Sequence, residues 1–359
     1  MTETIRLATR GSDLALRQAQ RVADALGSRR RNVELVEVET TGDAVRDELI
    51  HRLGKTGAFV RSLDEKVMDG DVDAAVHSMK DMPTEFPAEL VVAGVPERAA
   101  PDDVLVTPEG ATVPELPDGA TVGTSSLRRK AQLLAERPDL TVEPLRGHVD
   151  TRVEKLLAPT VQAEEDRRVA AAERDEDEDD EEPSYELSPA AWREDLSALE
   201  RRALDRSIGT EFDAIVLAEA GLDRLGLLEA VRYNRLPKPF VPAPGQGALA
   251  VTARDSEAAS TIQAALDHPR TRVETTVERT ILGTLGGGCV APIGIYAVVQ
   301  GEYVQTTVRV LAQDGTEEIE ASRELPAESH PEAAREFAED LAEQGAVDLI
   351  ERARRDSEE

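Results

Sequence analysis

The chain has 359 residues and a formal net charge of −30, with 72 acidic residues against 42 lysines and arginines. This length allows two or three domains with real hydrophobic cores. A surface this acidic argues against nucleic acid and anionic membranes as partners, because both would be repelled. It is typical of a protein adapted to high salt, where mobile ions screen the carboxylates. Recognition of a basic partner is the alternative.

The single cysteine, Cys289, excludes an intrachain disulfide. The first ten residues lack the apolar core of a signal peptide, and no stretch has the length and apolarity of a membrane span. We therefore expect a cytoplasmic protein. The five histidines lie far apart without ligand spacing, so no metal site is predicted.

The first hundred residues alternate between strand and helix patterns, which indicates an α/β architecture with mostly parallel sheets. Ser12 occupies the N-cap position of the first helix. Ligands of such sheets bind outside the carboxyl ends of the strands, where Thr9-Arg10 and Ser78–Asp81 fall. The predicted elements are the strand Ile5–Ala8, the helix Asp13–Leu26, the strand Val33–Glu39, the helix Phe59–Met68 and the strand Asp73–His77.

A proline-rich stretch, Pro96–Pro117, predicts a crossover into a second domain. That domain begins with the strand Thr121–Gly123 and the motif that runs to Arg129. A later strand, Phe212–Leu217, and the helical pattern Ala218–Leu228 continue it.

Within the second domain, the segment Pro159–Thr210 differs in composition from its surroundings. Nine of the ten residues in Glu173–Glu182 are acidic, and such a run is expected to stay solvated or disordered. Ser188-Pro189 then predicts a helix start. The helix that follows is predicted to have one apolar face, formed by Trp192, Leu196, Leu199 and Ala203. We expect this face to pack against the second domain, and a partner surface is the alternative.

The last part of the chain, from about His268, predicts a small α+β domain that carries the only thiol. Gly286-Gly-Gly-Cys289 precedes alternating strands over Pro292–Leu311, and an amphipathic helix is predicted over Pro331–Arg355. A cysteine after three glycines can be presented to a cleft by permissive backbone, although free cysteines are often buried and inert.

Five arginines lie at a predicted strand end, at a predicted helix N-terminus or in loops, and guanidinium groups at such places favour carboxylate or phosphate. The alternative is that each arginine pairs with a nearby acid. The five are Arg10, Arg128, Arg129, Arg146 and Arg152.

Lys80 and Asp81 are adjacent in a loop after a buried strand. They could form an ordinary surface ion pair, or the carboxylate could face a cationic reaction intermediate. Pro242–Ala248, read alone, is a turn or hinge.

Together these motifs resemble those of the porphobilinogen deaminases, also called hydroxymethylbilane synthases. They cover nearly the whole chain outside Pro159–Thr210, and the combination of His-Ser-Met-Lys-Asp with Gly-Thr-Ser-Ser-Leu-Arg-Arg is highly specific. The matching stretches are Ala8–Ser12, Leu14–Leu16 with Gln18, Ala75–Asp81, Gly123–Arg129, Leu145–Gly147 with Thr151-Arg152, Ala220-Gly221 with Arg224–Gly226, Pro244–Ala248, and Gly287–Cys289 with Pro292–Gly294.

The resemblance implies two lobes like those of type II periplasmic binding proteins, with the active cleft between them, plus a small α+β domain. The implied domains are 1–98 with 242–265, then 99–241 with the acidic insert at about 159–210, then 266–359. It also implies a monomer that condenses four porphobilinogen molecules head to tail on a covalent dipyrromethane cofactor. Ammonia is released at each addition, and hydrolysis frees hydroxymethylbilane.

The resemblance also implies residue roles. Cys289 would carry the cofactor through a thioether, and Asp81 would be the catalytic carboxylate that stabilises the azafulvenium cation left by ammonia. The acetate and propionate groups of cofactor and substrate would be bound by Arg10, Ser12, Lys80, Ser125, Ser126, Arg128, Arg129, Arg146 and Arg152.

The chain departs from the family in two places. The loop Gly54–Phe59 has Thr56 where a lysine is usual, with Lys55 one residue earlier, and the acidic insert has no family role. Two rival hypotheses remain at this point. A non-catalytic anion-binding protein of the same two-lobed fold would need neither Cys289 nor Asp81, and a different transferase could use a free cysteine nucleophile.

Overall fold

A computed structural model of the chain describes residues 3–38, 58–85, 87–173, 185–288 and 291–358. Within these residues the strands form two five-stranded sheets and one three-stranded sheet. The expected α/β class is confirmed, because helices cover the five-stranded sheets and a smaller α+β domain follows them.

The first lobe is built on a five-stranded sheet. Successive side chains of its strand β1 (Glu3–Arg10) lie on opposite faces of that sheet. Ile5 and Leu7 pack with Val22 on one face, and Ala8 packs with Leu63 on the other. The remaining strands, in spatial order around β1, are β2 (Arg31–Val38) on one side and then β3 (Ala74–Ser78), β10 (Leu249–Arg254) and β4 (Leu90–Gly94) on the other. The helices are α1 (Asp13–Leu26), α2 (Ala58–Asp69) and α8 (Glu257–Leu266).

The second lobe repeats this arrangement with shorter strands. Its spatial order is β7 (Thr141–Glu143), β6 (Thr121–Gly123), β8 (Ala214–Ala218), β5 (Asp103–Val106) and β9 (Tyr233–Arg235). Its helices are α3 (Leu127–Glu136), α4 (Val149–Ala172), α5 (Pro189–Asp195), α6 (Ala198–Leu204) and α7 (Glu219–Leu225).

The chain crosses between the lobes twice, and each crossing leads into the fourth strand of a five-stranded sheet. β5 enters the second lobe directly after β4, and β10 returns the chain to the first lobe. Both strands run antiparallel to their neighbours, so the expectation of mostly parallel sheets is wrong for half of the strand pairs. The expected pair of lobes is confirmed, because each five-stranded sheet has the same strand arrangement and receives one strand after a crossing from the other lobe.

The C-terminal domain is an antiparallel sheet packed against helices. Its elements are α9 (Pro269–Thr284), β11 (Ile293–Gln300), β12 (Tyr303–Leu311), β13 (Glu318–Pro326), α10 (His330–Glu343) and α11 (Ala346–Glu358). The prediction of one helix over Pro331–Arg355 is wrong, because Gly345 takes a φ of +98° and ends the first of two helices. β13 was not predicted, since its outer face is almost wholly polar.

The predicted insert begins inside a helix, because α4 continues past Pro159 to Ala172. The single helix face predicted through Trp192 and Ala203 is wrong, because Ser197 caps a new helix through a capping box with Glu200. Leu199 packs in the core of the second lobe and Ala203 is buried beside it, so packing on its own domain is confirmed for these two residues. Residues 174–184, which include all but one of the nine acidic residues of the run, lie outside the described residues.

Among the helices that the structure describes, none is both long enough and apolar enough to cross a lipid bilayer.

Candidate active site

The first lobe contributes two neighbouring strand ends. β1 and β3 pair in parallel, so Arg10 at the end of one and the turn after Ser78 lie at the same edge of the sheet. Ser12 is the N-cap of α1 and accepts a hydrogen bond from the Ala15 amide at 3.4 Å. The predicted position of these residues, outside carboxyl ends of strands, is confirmed.

Asp81 lies in a short 3₁₀ turn, Met79–Asp81, that is fixed from behind. Met79 is buried and donates its amide to the Ala248 carbonyl at 3.0 Å. Gly245, with a φ of +74°, packs so closely that a Cβ there would lie 2.6 Å from the Met79 side chain. The Asp81 side chain is exposed, so a carboxylate on a rigid backbone faces the solvent side of the turn.

The second lobe contributes Arg128 and Arg129 at the start of α3. Both are buried and share Asp103, with nitrogen–oxygen distances of 2.6 Å and 2.8 Å. Burial alone would raise the pKa of Asp103, but Arg128 and Arg129 hold that pKa well below its usual range. The alternative that an arginine pairs with a nearby acid therefore holds for these two, in a buried group that keeps one net positive charge.

Arg128 also donates to the Val241 carbonyl at 2.7 Å, and Gln246 donates to Asp103 at 2.8 Å. Val241 and Gln246 belong to the segment that returns the chain to the first lobe. The arginine pair is thus fixed to the connection between the lobes.

The turn after β7 brings the remaining predicted residues of the second lobe together. Ser125 donates its hydroxyl to the Leu145 carbonyl at 2.7 Å, and Arg152 donates to the Gly147 carbonyl at 2.8 Å. Arg146 lies half-buried between them in this turn. Burial, and then the positive charge of Arg129, lower the pKa of Arg152 to about 10.

The predicted serines differ in what they can offer a ligand. Ser12 and Ser126 accept hydrogen bonds from helix amides, so each hydroxyl proton remains available for a carboxylate. Ser125 already donates its proton to a carbonyl and would have to rotate to bind an anion.

Lys80 connects the two halves of the site. Burial lowers its pKa, Asp81 opposes that shift, and the positive charges of Arg129 and Arg128 add to it. Lys80 of the first lobe therefore lies within electrostatic reach of the arginine pair of the second lobe. Four cations, Lys80, Arg128, Arg129 and Arg152, meet two carboxylates, Asp81 and Asp103, and this imbalance suits a polycarboxylate ligand.

Arg224 is a buried arginine to which the sequence motif gave no role. It donates to the Gly247 carbonyl at 2.6 Å, while its Nε has no hydrogen-bond partner among the described residues. Burial, and then Arg21, lower its pKa to about 10. The sequence signal that could have identified Arg224 as a site residue is its place in the family motif, shortly after Ala220-Gly221.

Several predicted features fall outside the described residues, among them Cys289, Lys55 and Thr56. The glycines before Cys289 are described. Gly286 takes a φ of +64°, and a Cβ on Gly287 would lie 2.6 Å from the Leu282 side chain. Permissive backbone at this turn is therefore confirmed for Gly286, and close packing requires glycine at Gly287.

No group of three or more histidine, cysteine, aspartate or glutamate side chains in the described part of the chain could hold a metal ion.

Two family models match the chain. The porphobilinogen deaminase dipyrromethane cofactor binding domain matches residues 5–166 and 197–262, and the porphobilinogen deaminase C-terminal domain matches residues 273–344. The chain belongs to the porphobilinogen deaminase family. The expected family, transferase class and dipyrromethane cofactor are thereby confirmed. The gap in the first match, 167–196, falls within the predicted insert and is shorter than it.

Curated relatives match over almost their whole length. A probable porphobilinogen deaminase of Halobacterium salinarum is 52% identical, with 98% of this chain and 99% of that protein covered. A probable porphobilinogen deaminase of Methanococcoides burtonii is 37% identical, covering 97% and 96%. The porphobilinogen deaminase of Campylobacter hominis is 34% identical, covering 97% and 98%.

Proposed function

We propose that this chain is a hydroxymethylbilane synthase that works in the cleft between its two lobes. It condenses four porphobilinogen molecules head to tail on a dipyrromethane group held by Cys289, releases ammonia at each step and then hydrolyses the product. The observation that carries the proposal is that adjacent residues join the two halves of the site. Gly245 packs against Met79 of the turn that carries Asp81, and Gln246 donates to the Asp103 that holds Arg128 and Arg129. Incubation with porphobilinogen should release four ammonia molecules for each hydroxymethylbilane formed.

The donor set fits a dipyrromethane group. The residues that would hold it are basic. Arg129 and Arg152 repel each other, and bound carboxylates would relieve this repulsion. When bound, the group supplies the pyrrole end to which each new unit is joined. Lys80 and the hydroxyl of Ser12 would bind its carboxylates from the first lobe, with Arg128 and Arg129 on the opposite side.

Asp81 is proposed to carry the chemical step. A carboxylate on a fixed turn can stabilise the cation that forms when ammonia leaves porphobilinogen, because its negative charge is already in place where the positive charge develops. It can also take a proton from solvent and pass it to the departing amine, which restores the carboxylate before the cation forms. The neighbouring Lys80 supplies a positive charge beside this carboxylate, while Arg128 and Arg129 pair with Asp103.

The arginines are proposed to divide into two groups. Arg128 and Arg129 are already held by Asp103, so they present a fixed positive face. Arg10, Arg146 and Arg152 are proposed to bind the carboxylates of incoming porphobilinogen and of the growing chain. Each addition brings two more carboxylates, which permanently charged guanidinium groups can bind without any change in protonation.

This division predicts different results for Arg128→Leu and Arg146→Leu. Arg128→Leu should destabilise the fold, because breaking a buried ion pair typically costs about 3–5 kcal/mol, partly offset here by Arg129 and Gln246. Arg146→Leu should fold normally but stall chain growth. Thermal unfolding, and mass spectrometry of the covalent intermediates, would separate the two effects. Wild-type kinetics in Arg146→Leu would remove that residue from the site.

We also propose a cytoplasmic monomer adapted to high salt, which binds porphobilinogen and neither nucleic acid nor membrane. The net charge of −30 supports the adaptation to salt, because self-repulsion of the compact state is relieved by screening, and it supports the lack of binding to nucleic acid and anionic membranes, which it repels. Activity should therefore rise as salt approaches the molar range.

The acidic run provides a test of the salt dependence. Deleting Glu173–Glu182 removes nine acidic residues and Arg174, which changes the net charge from −30 to −22. The deletion should weaken the salt dependence of activity and spare catalysis at high salt. Loss of activity with fold and cofactor intact would instead give the run a catalytic role.

The proposed domains are 1–98 with 242–265, then 99–241, then 266–359. The strand exchange supports this division, because β10 belongs to the first sheet and β5 to the second. An anion-binding protein without catalysis has less support, since the family models include a cofactor-binding domain.

A further inference from the structure

Arg279 connects the C-terminal domain to the turn that carries Asp81. It lies half-buried on α9, and its guanidinium donates to the carbonyls of Met79 at 3.4 Å and Met82 at 3.3 Å, and also to that of Pro83. These three carbonyls bracket Lys80 and Asp81 in the chain. α9 ends at Thr284 and leads directly to the glycines that precede Cys289.

Arg279 suits this contact for a physical reason. The carbonyls of Met82 and Pro83, which follow the short helical turn, have no amide partner inside it, and a positive charge near such carbonyls is favourable. A planar guanidinium has five donors in a fixed fork, so it can bridge several carbonyls at once, whereas an ammonium acts as a single point. Arg279 therefore holds the chain as it leaves the turn.

The other side of the turn is held separately. Ala248 accepts the Met79 amide, and Gly245 packs against it. Glu278, next to Arg279 on α9, accepts the Gly245 amide at 2.6 Å and pairs with Arg98 at 2.7 Å. Adjacent residues of one helix thus fix the turn and the segment behind it. Glu278 holds the Gly245 amide, and Arg279 donates to one carbonyl of the turn and to two carbonyls that follow it.

We propose that Arg279 is a positioning residue that sets the place of Asp81 relative to the helix leading to Cys289. This inference rests on the proposed function, since it takes Asp81 as the catalytic carboxylate. Arg279 need not touch substrate. Without it, the turn can shift while the arginines that bind carboxylates stay in place, so turnover should fall and substrate binding should not.

The experiment compares Arg279→Met and Arg279→Lys with Arg272→Met. Arg272 is a matched control on the same helix, because it also joins α9 to the first lobe, through the Val92 carbonyl at 3.1 Å. It pairs with Asp267 at 2.6 Å, and both contacts lie away from the turn. Intact mass and thermal unfolding establish cofactor content and folding in each variant. Steady-state assays with porphobilinogen then give kcat and KM.

Arg279→Met should keep the cofactor and lower kcat about tenfold to a hundredfold with KM nearly unchanged, because small misplacements of a reacting group have effects of that size. Arg279→Lys should be intermediate, and Arg272→Met should match wild type in kcat. Equal kcat in Arg279→Met and Arg272→Met, or a change confined to KM, would overturn the inference. If Arg279→Met does not fold, Arg279→Lys decides by the same criteria. Absence of turnover in wild type would instead reject the proposed function.

Discussion

Asp81→Asn should retain the fold and the covalent cofactor but lose most turnover, with kcat reduced about a hundredfold or more. Asparagine has nearly the same size as aspartate but carries no negative charge, so it cannot stabilise the cation that forms when ammonia leaves. Because the Asp81 side chain is exposed, the substitution should cost little stability. Single-turnover release of ammonia, measured beside intact mass, would show that the defect lies in chemistry.

Asp81→Glu is the matched variant for this prediction. It keeps the charge and moves it by one methylene, so its turnover should lie between those of wild type and Asp81→Asn. An asparagine variant that equals or exceeds the glutamate variant would show that Asp81 acts by hydrogen bonding within the turn and not by its charge.

Cys289→Ser should yield a protein with no covalent adduct and no sustained activity. A serine hydroxyl is a far weaker nucleophile than a thiolate, so it should not form the covalent bond to the first pyrrole. The substitution is nearly isosteric, and unfolding measurements should therefore stay close to those of wild type. Full turnover by this variant would refute the attachment role.

The position of the site could be predicted from the sequence because it depends on local patterns. A run of buried residues followed by Ser78-Met-Lys-Asp81 identifies a strand end, and Gly123–Arg129 identifies a strand followed by a helix N-terminus. Parallel strands place such ends at one edge of a sheet. Lys80 also lies within electrostatic reach of Arg128 and Arg129 of the other sheet, and this follows from the connections between the lobes and not from a local pattern.

The partners of the arginines could not be predicted in the same way. Asp103 lies 25 residues before Arg128 in the chain, and the two meet only because β5 crosses into the second lobe. The same exchange of strands produces the antiparallel pairs that local alternation of strands and helices does not reveal. Arg279 lies almost 200 residues from the turn it contacts, and no local pattern connects them.

Helix ends show the limit of periodicity on a smaller scale. Leu196 keeps the spacing of an apolar helix face, yet Ser197 offers a better N-cap and a new helix begins after it. Gly345 interrupts the C-terminal helix in the same manner, since a glycine at positive φ ends one helix more readily than it continues it. In both places a capping interaction outweighs the continuation of the hydrophobic pattern.

The most direct test of the account is the intact mass of the purified wild-type protein under denaturing conditions. We predict a mass above that of the bare polypeptide by one covalently bound dipyrromethane, and digestion should assign the added mass to the peptide that contains Cys289. Incubation with porphobilinogen should add further pyrrole units in steps. A preparation that turns over porphobilinogen while showing only the mass of the polypeptide would contradict the account.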